Sequence, residues 1–315
     1  MTKTPIAAMN KPPLSKPLPA GFQIDKYRID KHLSIGGFSF VYLAKDDAGQ
    51  TVAVKEYLPC RLAQRLGEST EPTVTAELQG AFNLGMKSFF EEARLLAHID
   101  HPNVVRVLNI FRANGTAYMV MSYVEGQSLH ERIHALKVKG EMVHEDFLRH
   151  VFVRLLSGLR EVHRQKLLHL DIKPANIYLG ADGQPVLLDF GATRHGLGEG
   201  DASLEAVHTP GFGAPEQEES GEPLGPWTDI YAVGATLYYC LSLTPLPKAK
   251  DRMARDELQP AVQRWFKRYS AQLLELIDWC LRLHVGERPQ SVFALQKVLN
   301  GDLLDLVDPA WFEPD

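Results

Sequence analysis

The sequence predicts an α+β chain, with strand-forming segments gathered before residue 122 and helix-forming segments after it. Two observations carry this. Between Tyr27 and Lys55, β-branched and aromatic runs are separated by turns at Gly36-Gly37 and Asp46-Asp47-Ala48-Gly49, as in antiparallel hairpins. From Phe147 onward, apolar residues mostly recur at helical spacing or run unbroken, the marks of amphipathic and fully buried helices.

Length and composition set the outer limits. The chain has 315 residues, 45% of them hydrophobic and 23% charged, which suits a soluble globular protein of one large or two modest domains. A formal charge of -5 provides no general basic face, so bulk binding to nucleic acid or to an anionic membrane is disfavoured. Cys60, Cys240 and Cys280 lack metal-ligand spacing and read as reduced core thiols. The longest apolar run, Tyr231 to Leu243, is too short to span a membrane, and the N-terminus lacks the apolar core of a signal peptide, so the expected location is cytoplasmic.

Residues 1 to 22 hold five prolines and three lysines with no acid, a composition expected of a mobile basic tail. Strands are expected over Tyr27–Asp30, Leu33–Leu43 and Thr51–Lys55. A glycine-bearing turn ahead of a strand ending in lysine can lay backbone N–H groups over phosphates while the lysine reaches them as a point charge. Alone, Gly-Gly in a hairpin is ordinarily just a turn. Glu56 to Gly85 is longer than a simple connection. Met86, Phe89, Phe90, Ala93, Leu96 and Ala97 then recur at helical spacing; Glu91 points away from that stripe and Glu92 stands at its edge, where a partner for Lys55 belongs.

Val104–Ile110 and Ala117–Met121 read as two further strands, leading to Ser122-Tyr123-Val124-Glu125-Gly126. Phe147, Val151, Leu155, Leu159 and Val162 mark a long amphipathic helix. Beyond it, Ile177–Leu179 and Pro185–Leu188 form a hairpin whose polar ends can bring Asp171, Asn176 and Asp189 to a common point. Two carboxylates and an amide oxygen make a hard donor set suited to Mg²⁺ carrying phosphate, with one carboxylate left to orient an attacking hydroxyl. Residues 192 to 207 fit a mobile segment, Asp229 opens a helix buried on all sides, and the acidic end 302–315 reads as solvated.

His169-Leu170-Asp171-Ile172-Lys173-Pro174-Ala175-Asn176, followed by Asp189-Phe190-Gly191, resembles the catalytic and metal-binding loops of a protein kinase. His208 to Glu216, ending in Ala-Pro-Glu, resembles that family's substrate-docking loop, and Lys55-Glu56-Tyr57-Leu58-Pro59 is similar to a stretch found in some bacterial serine/threonine kinases. The likeness runs from Tyr27 to Leu299. It implies a bilobal fold: an N-lobe over 23–121, five antiparallel strands and one helix with an insertion at about 56–85, then a mainly helical C-lobe over 122–301.

The resemblance also implies roles. Lys55, held by Glu92, would contact the α- and β-phosphates of ATP beneath Leu33, Gly36 and Gly37, while Val41 and Ala53 cover the adenine, Met121 guards the deeper pocket and Tyr123 and Val124 offer backbone. Aligned on Val41, the family's three glycines fall on Ser34, Gly36 and Ser39. Asn176 and Asp189 would hold Mg²⁺, with Mn²⁺ as an alternative; Asp171 would orient the acceptor and Lys173 neutralise the γ-phosphate. Thr209 belongs to substrate docking, and Glu216, Arg288 and Asp229 are structural. The implied partner is a protein with a serine or threonine acceptor. Leu170 stands where the family usually has arginine, so activity is expected not to depend strongly on activation-segment phosphorylation. The competing readings are a pseudokinase scaffold, an ATP-sensing module and a small-molecule phosphotransferase.

Overall fold

The computed structural model describes residues 15–67, 69–190, 209–218 and 222–300. The first fourteen residues of the expected leader, the segment 192–207 and the acidic end therefore lie outside the described residues. The chain divides into two compact units, one running up to Ala97 and including Val107–Tyr123, the other made of His98–Arg106 and the residues from Val124 onward.

In the first unit, β1 (Gln23–Ile24), β2 (Tyr27–Ile35), β3 (Ser39–Lys45), β4 (Thr51–Tyr57), helix α1 (Gln79–Leu96), β5 (Val107–Ala113) and β6 (Thr116–Ser122) follow in order. The sheet is antiparallel with strand order β1-β2-β3-β4-β6-β5, one strand more than the five expected. The addition is the two-residue β1, folded onto β2 through Asp25 at positive φ and anchored by buried Ile24.

Register sorts the side chains onto two faces. Val41 lies opposite Lys55, Lys55 opposite Met119 and Ala53 opposite Met121, so these five share one face; Tyr42, Glu56 and Tyr118 lie on the other. Tyr57, two residues past Lys55 and on its face, meets the rings of Phe82 and Phe89 of α1 at 5.2 and 5.7 Å. Helix α1 therefore covers the Lys55 face. Gly85 permits this approach, because a Cβ there would sit 2.1 Å from the Tyr57 hydroxyl oxygen. The insertion is shorter than 56–85: Glu56 and Tyr57 continue β4, and Phe82 and Gly85 bury two extra turns of α1 that aliphatic spacing did not reveal.

The strand expected from Val104 starts at Val107. Val105 N–H donates to Leu187 O (3.0 Å) and Leu187 N–H to Asn103 O (2.9 Å), and residues 98–106 belong to the second unit instead of the first, where 23–121 would have placed them.

The second unit contains β7 (Gly126–Ser128), α2 (Leu129–Val138), α3 (Glu145–Arg164), β8 (Ile177–Gly180), β9 (Pro185–Leu187), α4 (Pro215–Glu218), α5 (Pro226–Ser242), α6 (Ala249–Ala254), α7 (Ala261–Trp265), α8 (Ala271–Cys280) and α9 (Val292–Asn300). Strands β7, β8 and β9 form a small antiparallel sheet. Helix α5 is the centre of this unit: every residue from Thr228 to Cys240 is buried, and Gly234 admits Cys280 of α8 where a Cβ would clash at 2.5 Å. Helix α3 buries Leu148, Val151, Phe152, Leu155, Leu156, Leu159 and Val162; Phe147, expected on that stripe, is half-buried because the stripe starts one residue later. Cys240 and Cys280 are core thiols as expected, but Cys60 is exposed, since it follows Pro59 off the end of β4.

Candidate active site

The second unit holds the residues around Asp171 through a fixed support. Asp229, in the first turn of α5, accepts the His169 N–H (2.9 Å) and the Leu170 N–H (2.7 Å), and its Oδ2 also meets His163 Nε2 at 2.7 Å. Leu170 has φ +62°, a left-handed conformation that costs a non-glycine residue about 1–2 kcal/mol. Its carbonyl accepts from Gln217 Nε2 at 2.8 Å, so both polar backbone atoms of the strained residue are held. Burial by itself would raise the Asp229 carboxyl; the His163 hydrogen bond and charge, with His169, hold it below the usual carboxylate range instead. Burial pushes His169 down, so its ring packs as neutral imidazole 4.5 Å from Phe190 with Nε2 3.0 Å from Leu188 O.

On this support Asp171, Lys173, Asn176 and Thr209 close into one cluster. Lys173 Nζ donates to Asp171 Oδ2 (2.6 Å) and to Thr209 Oγ1 (2.7 Å), and the Thr209 hydroxyl donates to Asp171 Oδ1 (2.7 Å). Asn176 Nδ2 donates to Asp171 Oδ2 (3.1 Å) and to its carbonyl (2.9 Å). Asn176 ends a 3-10 turn, Pro174–Asn176, and its own carbonyl accepts the Leu188 N–H at 2.8 Å. The β8–β9 hairpin thus brings Asn176 to the residue before Asp189, which sits at φ +58°. An amide oxygen, its nitrogen already committed to Asp171, and a carboxylate make the hard-oxygen donor pair that a divalent cation prefers, so these residues fit such an ion.

The segment that runs from Thr209 to Glu216 is fixed by a buried ion pair. Arg288 forks onto Glu216 (Nη1 to Oε1 2.7 Å, Nη2 to Oε2 3.0 Å), both groups are buried, and Thr228 Oγ1 donates to the same carboxylate at 2.9 Å. Arg288 further donates to the carbonyls of Arg282 (2.6 Å) and Leu283 (2.8 Å).

In the first unit, Lys55 and Glu92 are both buried; Glu92 continues the Phe82, Gly85, Phe89 stripe toward the sheet face bearing Lys55, while Glu91 is exposed. Val41, Ala53 and Met121 share that face, and Leu33 is exposed on β2. The Gly36-Gly37 turn is tied at both sides: Gly36 N–H donates to Ser39 O (2.9 Å), Cys60 N–H to Gly37 O (2.9 Å) and Leu58 N–H to Phe38 O (3.0 Å). Tyr123 ends this unit and Val124 begins the other, both half-buried.

Sequence reasoning missed Gln217, His163, and the ties from Leu58 and Cys60. Only Gln217 carried a signal, standing directly after Ala214-Pro215-Glu216.

Comparison with known proteins points one way. The model of the protein kinase domain matches residues 27–300. Serine/threonine-protein kinase Nek5 of Mus musculus is 30% identical over 277 residues, 87% of this chain and 40% of Nek5. Serine/threonine-protein kinase PknA of Nostoc sp. is 29% identical, over 84% of this chain and 45% of PknA. The solved structure of PpkA-294 in its apo form superposes with a TM-score of 0.79 at 35% identity, covering 90% of this chain and all of that one. The chain spans about half or less of the length of these two curated relatives.

Proposed function

The chain belongs to the protein kinase family, and from that premise we propose that it transfers the γ-phosphate of ATP to serine or threonine hydroxyls of a protein substrate, its own chain included. One observation carries the reading: Asp171 already receives a threonine hydroxyl hydrogen at 2.7 Å, with Lys173 on its other oxygen. An acceptor hydroxyl entering in place of Thr209 finds a carboxylate that orients its lone pair and a cation beside it. The new bond forms from that oxygen to the γ-phosphorus as the bond to the β-phosphate oxygen breaks; ADP leaves, and the hydroxyl proton passes to the Asp171 carboxylate. Lys173 lies where it offsets the charge that develops on the transferring group.

Lys55, positioned by Glu92, takes the α- and β-phosphates, with Leu33, Gly36 and Gly37 covering them. Val41, Ala53, Met121, Tyr123 and Val124 receive the adenine. Asn176 and Asp189 would hold Mg²⁺, with Mn²⁺ as the alternative, and the ion would supply neutralisation of phosphate charge. Catalysis is then chiefly positioning and charge stabilisation. Lys173, two residues after Asp171, and Thr209 together favour serine or threonine over tyrosine. The cytoplasm is the proposed location; among the described residues no helix is long and apolar enough to cross a membrane.

The test is transfer from γ-labelled ATP with Mg²⁺, by the natural chain and by Asp171→Asn, to itself and to a generic basic protein. Phosphoserine or phosphothreonine from the natural chain alone is expected. Silence from both, with ATP still bound, would point to a scaffold. Alanine at Ser203 and Thr193 should leave turnover largely intact, because Leu170 offers no guanidinium to capture a phosphate.

A further inference from the structure

On the sheet face opposite Lys55, the first unit has a groove that is already filled. Glu56 is fully buried there, and three hydrogen-bonding groups converge on its carboxylate. Arg65, from the connection after β4, pairs with it, and the hydroxyls of Tyr42 and Tyr118 each donate to it at 2.7 Å. The Arg65 guanidinium also donates to Thr70 O at 3.1 Å.

The outer side of this hub grips residues 15–18 through two backbone groups, one hydroxyl and one buried side chain. Arg65 Nη1 donates to the Lys16 carbonyl (3.1 Å), the Leu18 N–H donates to the Tyr42 hydroxyl (3.1 Å), and the Arg65 N–H donates to Ser15 Oγ (3.1 Å). Leu18 is 2% exposed, while Lys16 faces solvent. No regular secondary structure spans these residues, and Pro17 presets an extended backbone. A captured carbonyl, a captured N–H, one buried apolar anchor and a hydroxyl are the elements by which proteins hold short extended peptides.

We propose that Tyr42, Glu56, Arg65 and Tyr118 form a peptide-binding groove, that the chain's own Ser15-Lys16-Pro17-Leu18 is its resident ligand, and that occupancy steadies the strand carrying Lys55. The link is direct. Glu56 is the next residue after Lys55 on β4 and projects from the opposite face, so fixing its carboxylate fixes the rotation of the strand that aims the lysine. The insertion then has a role: Arg65 supplies the guanidinium that fastens ligand and strand together. Leu18 is the apolar specificity element, its side chain being enclosed, and the buried Ser15 hydroxyl is a second, polar one; the backbone bonds would serve any sequence able to extend.

The test uses the full chain with Leu18→Asp, which expels the anchor without touching the groove. A fluorescent peptide of residues 11–20, Lys-Pro-Pro-Leu-Ser-Lys-Pro-Leu-Pro-Ala, is titrated and anisotropy read. Saturable binding is expected to the variant. It should be at least about tenfold weaker to the natural chain, whose groove is filled, and similarly weak for a peptide carrying the same aspartate. Adding Tyr42→Phe to the variant should weaken binding by removing the acceptor for the leucine N–H. Absence of binding to a folded Leu18→Asp chain, or equal binding of both peptides, would overturn the groove. Should Leu18→Asp fail to fold, Leu18→Ala takes its place under the same criteria. The anisotropy arm needs no phosphate transfer, so it stands or falls apart from the kinase reading. The coupling has its own readout: KM for ATP should rise several-fold in Leu18→Asp and fall back on adding the natural peptide, with kcat little changed. A KM unmoved by the mutation would overturn the coupling and leave the groove alone.

Discussion

Among the described residues, each unit buries one carboxylate–guanidinium pair, and the two pairs are built differently. In the second unit Arg288 forks onto Glu216 with two bonds, and its remaining donors go to carbonyls of its own neighbourhood, so the pair knits the segment ending at Glu216 to the helical core. In the first unit Arg65 shares Glu56 with two tyrosines and spends its other donors on residues 15–18 and on Thr70. One pair is a closed joint. The other is a hub with an outward-facing side, so the same chemistry serves permanence in one unit and capture of a segment in the other. Burying such charges is tolerable only where their polar atoms find partners, and in both sites each guanidinium nitrogen and each carboxylate oxygen has at least one.

This contrast can be broken by mutation, starting with the largest effect. Arg288→Met leaves Glu216 buried with Thr228 as its one remaining donor among the described residues and should cost about 3–5 kcal/mol of stability, measured by denaturant unfolding. Arg65→Met should cost less, about 2–3 kcal/mol, because Tyr42 and Tyr118 still solvate Glu56. Equal losses would mean that the tyrosines contribute little and the hub description is wrong. Adding Glu56→Gln to Arg65→Met should recover part of the loss, as a double-mutant cycle would reveal.

Single hydrogen bonds sharpen the comparison. Tyr118→Phe and Thr228→Val each remove one neutral donor to a buried carboxylate and should each cost about 1.5 kcal/mol. The smallest effect near neutrality is that of pH. The folded-state value of His169 is depressed by burial, so the unfolded chain binds its proton more readily. The stability from keeping it neutral is fully present above about pH 6.5 and is lost as pH falls below it. Asp229 has the same sign, its contribution going only in stronger acid. Tm should therefore decline on acidification from pH 7 to 5, and a flat profile would contradict the burial of His169 as neutral imidazole.

The second unit's site was largely legible because its chemistry is local in sequence. Asp171, Lys173 and Asn176 stand within six residues and Asp189 follows across one hairpin, so strand pairing alone brings them together. Glu216 and Arg288 were paired only through the family's pattern, their 72-residue separation being closed by packing around α5. The first unit was less legible. Glu56 reads as one more polar residue on a strand, and Arg65 lies in a stretch without periodicity. Nothing in the spacing ties either to Ser15 or Leu18, and a proline-rich basic start reads as mobile where residues 15–18 are in fact bound.

By itself the sequence determined the strand and helix periods, the order of the motifs and the identity of the groups around Asp171, since these rest on alternation, helical spacing and turn chemistry over short separations. Tertiary structure alone decided that residues 103–105 pair with β9, that Asp229 and Gln217 hold Leu170 at positive φ, and that Arg65 joins Glu56 to the segment before the first strand. In each of these cases a buried polar group had to find its partner across a long stretch of chain. The need to satisfy it is visible only once burial is known.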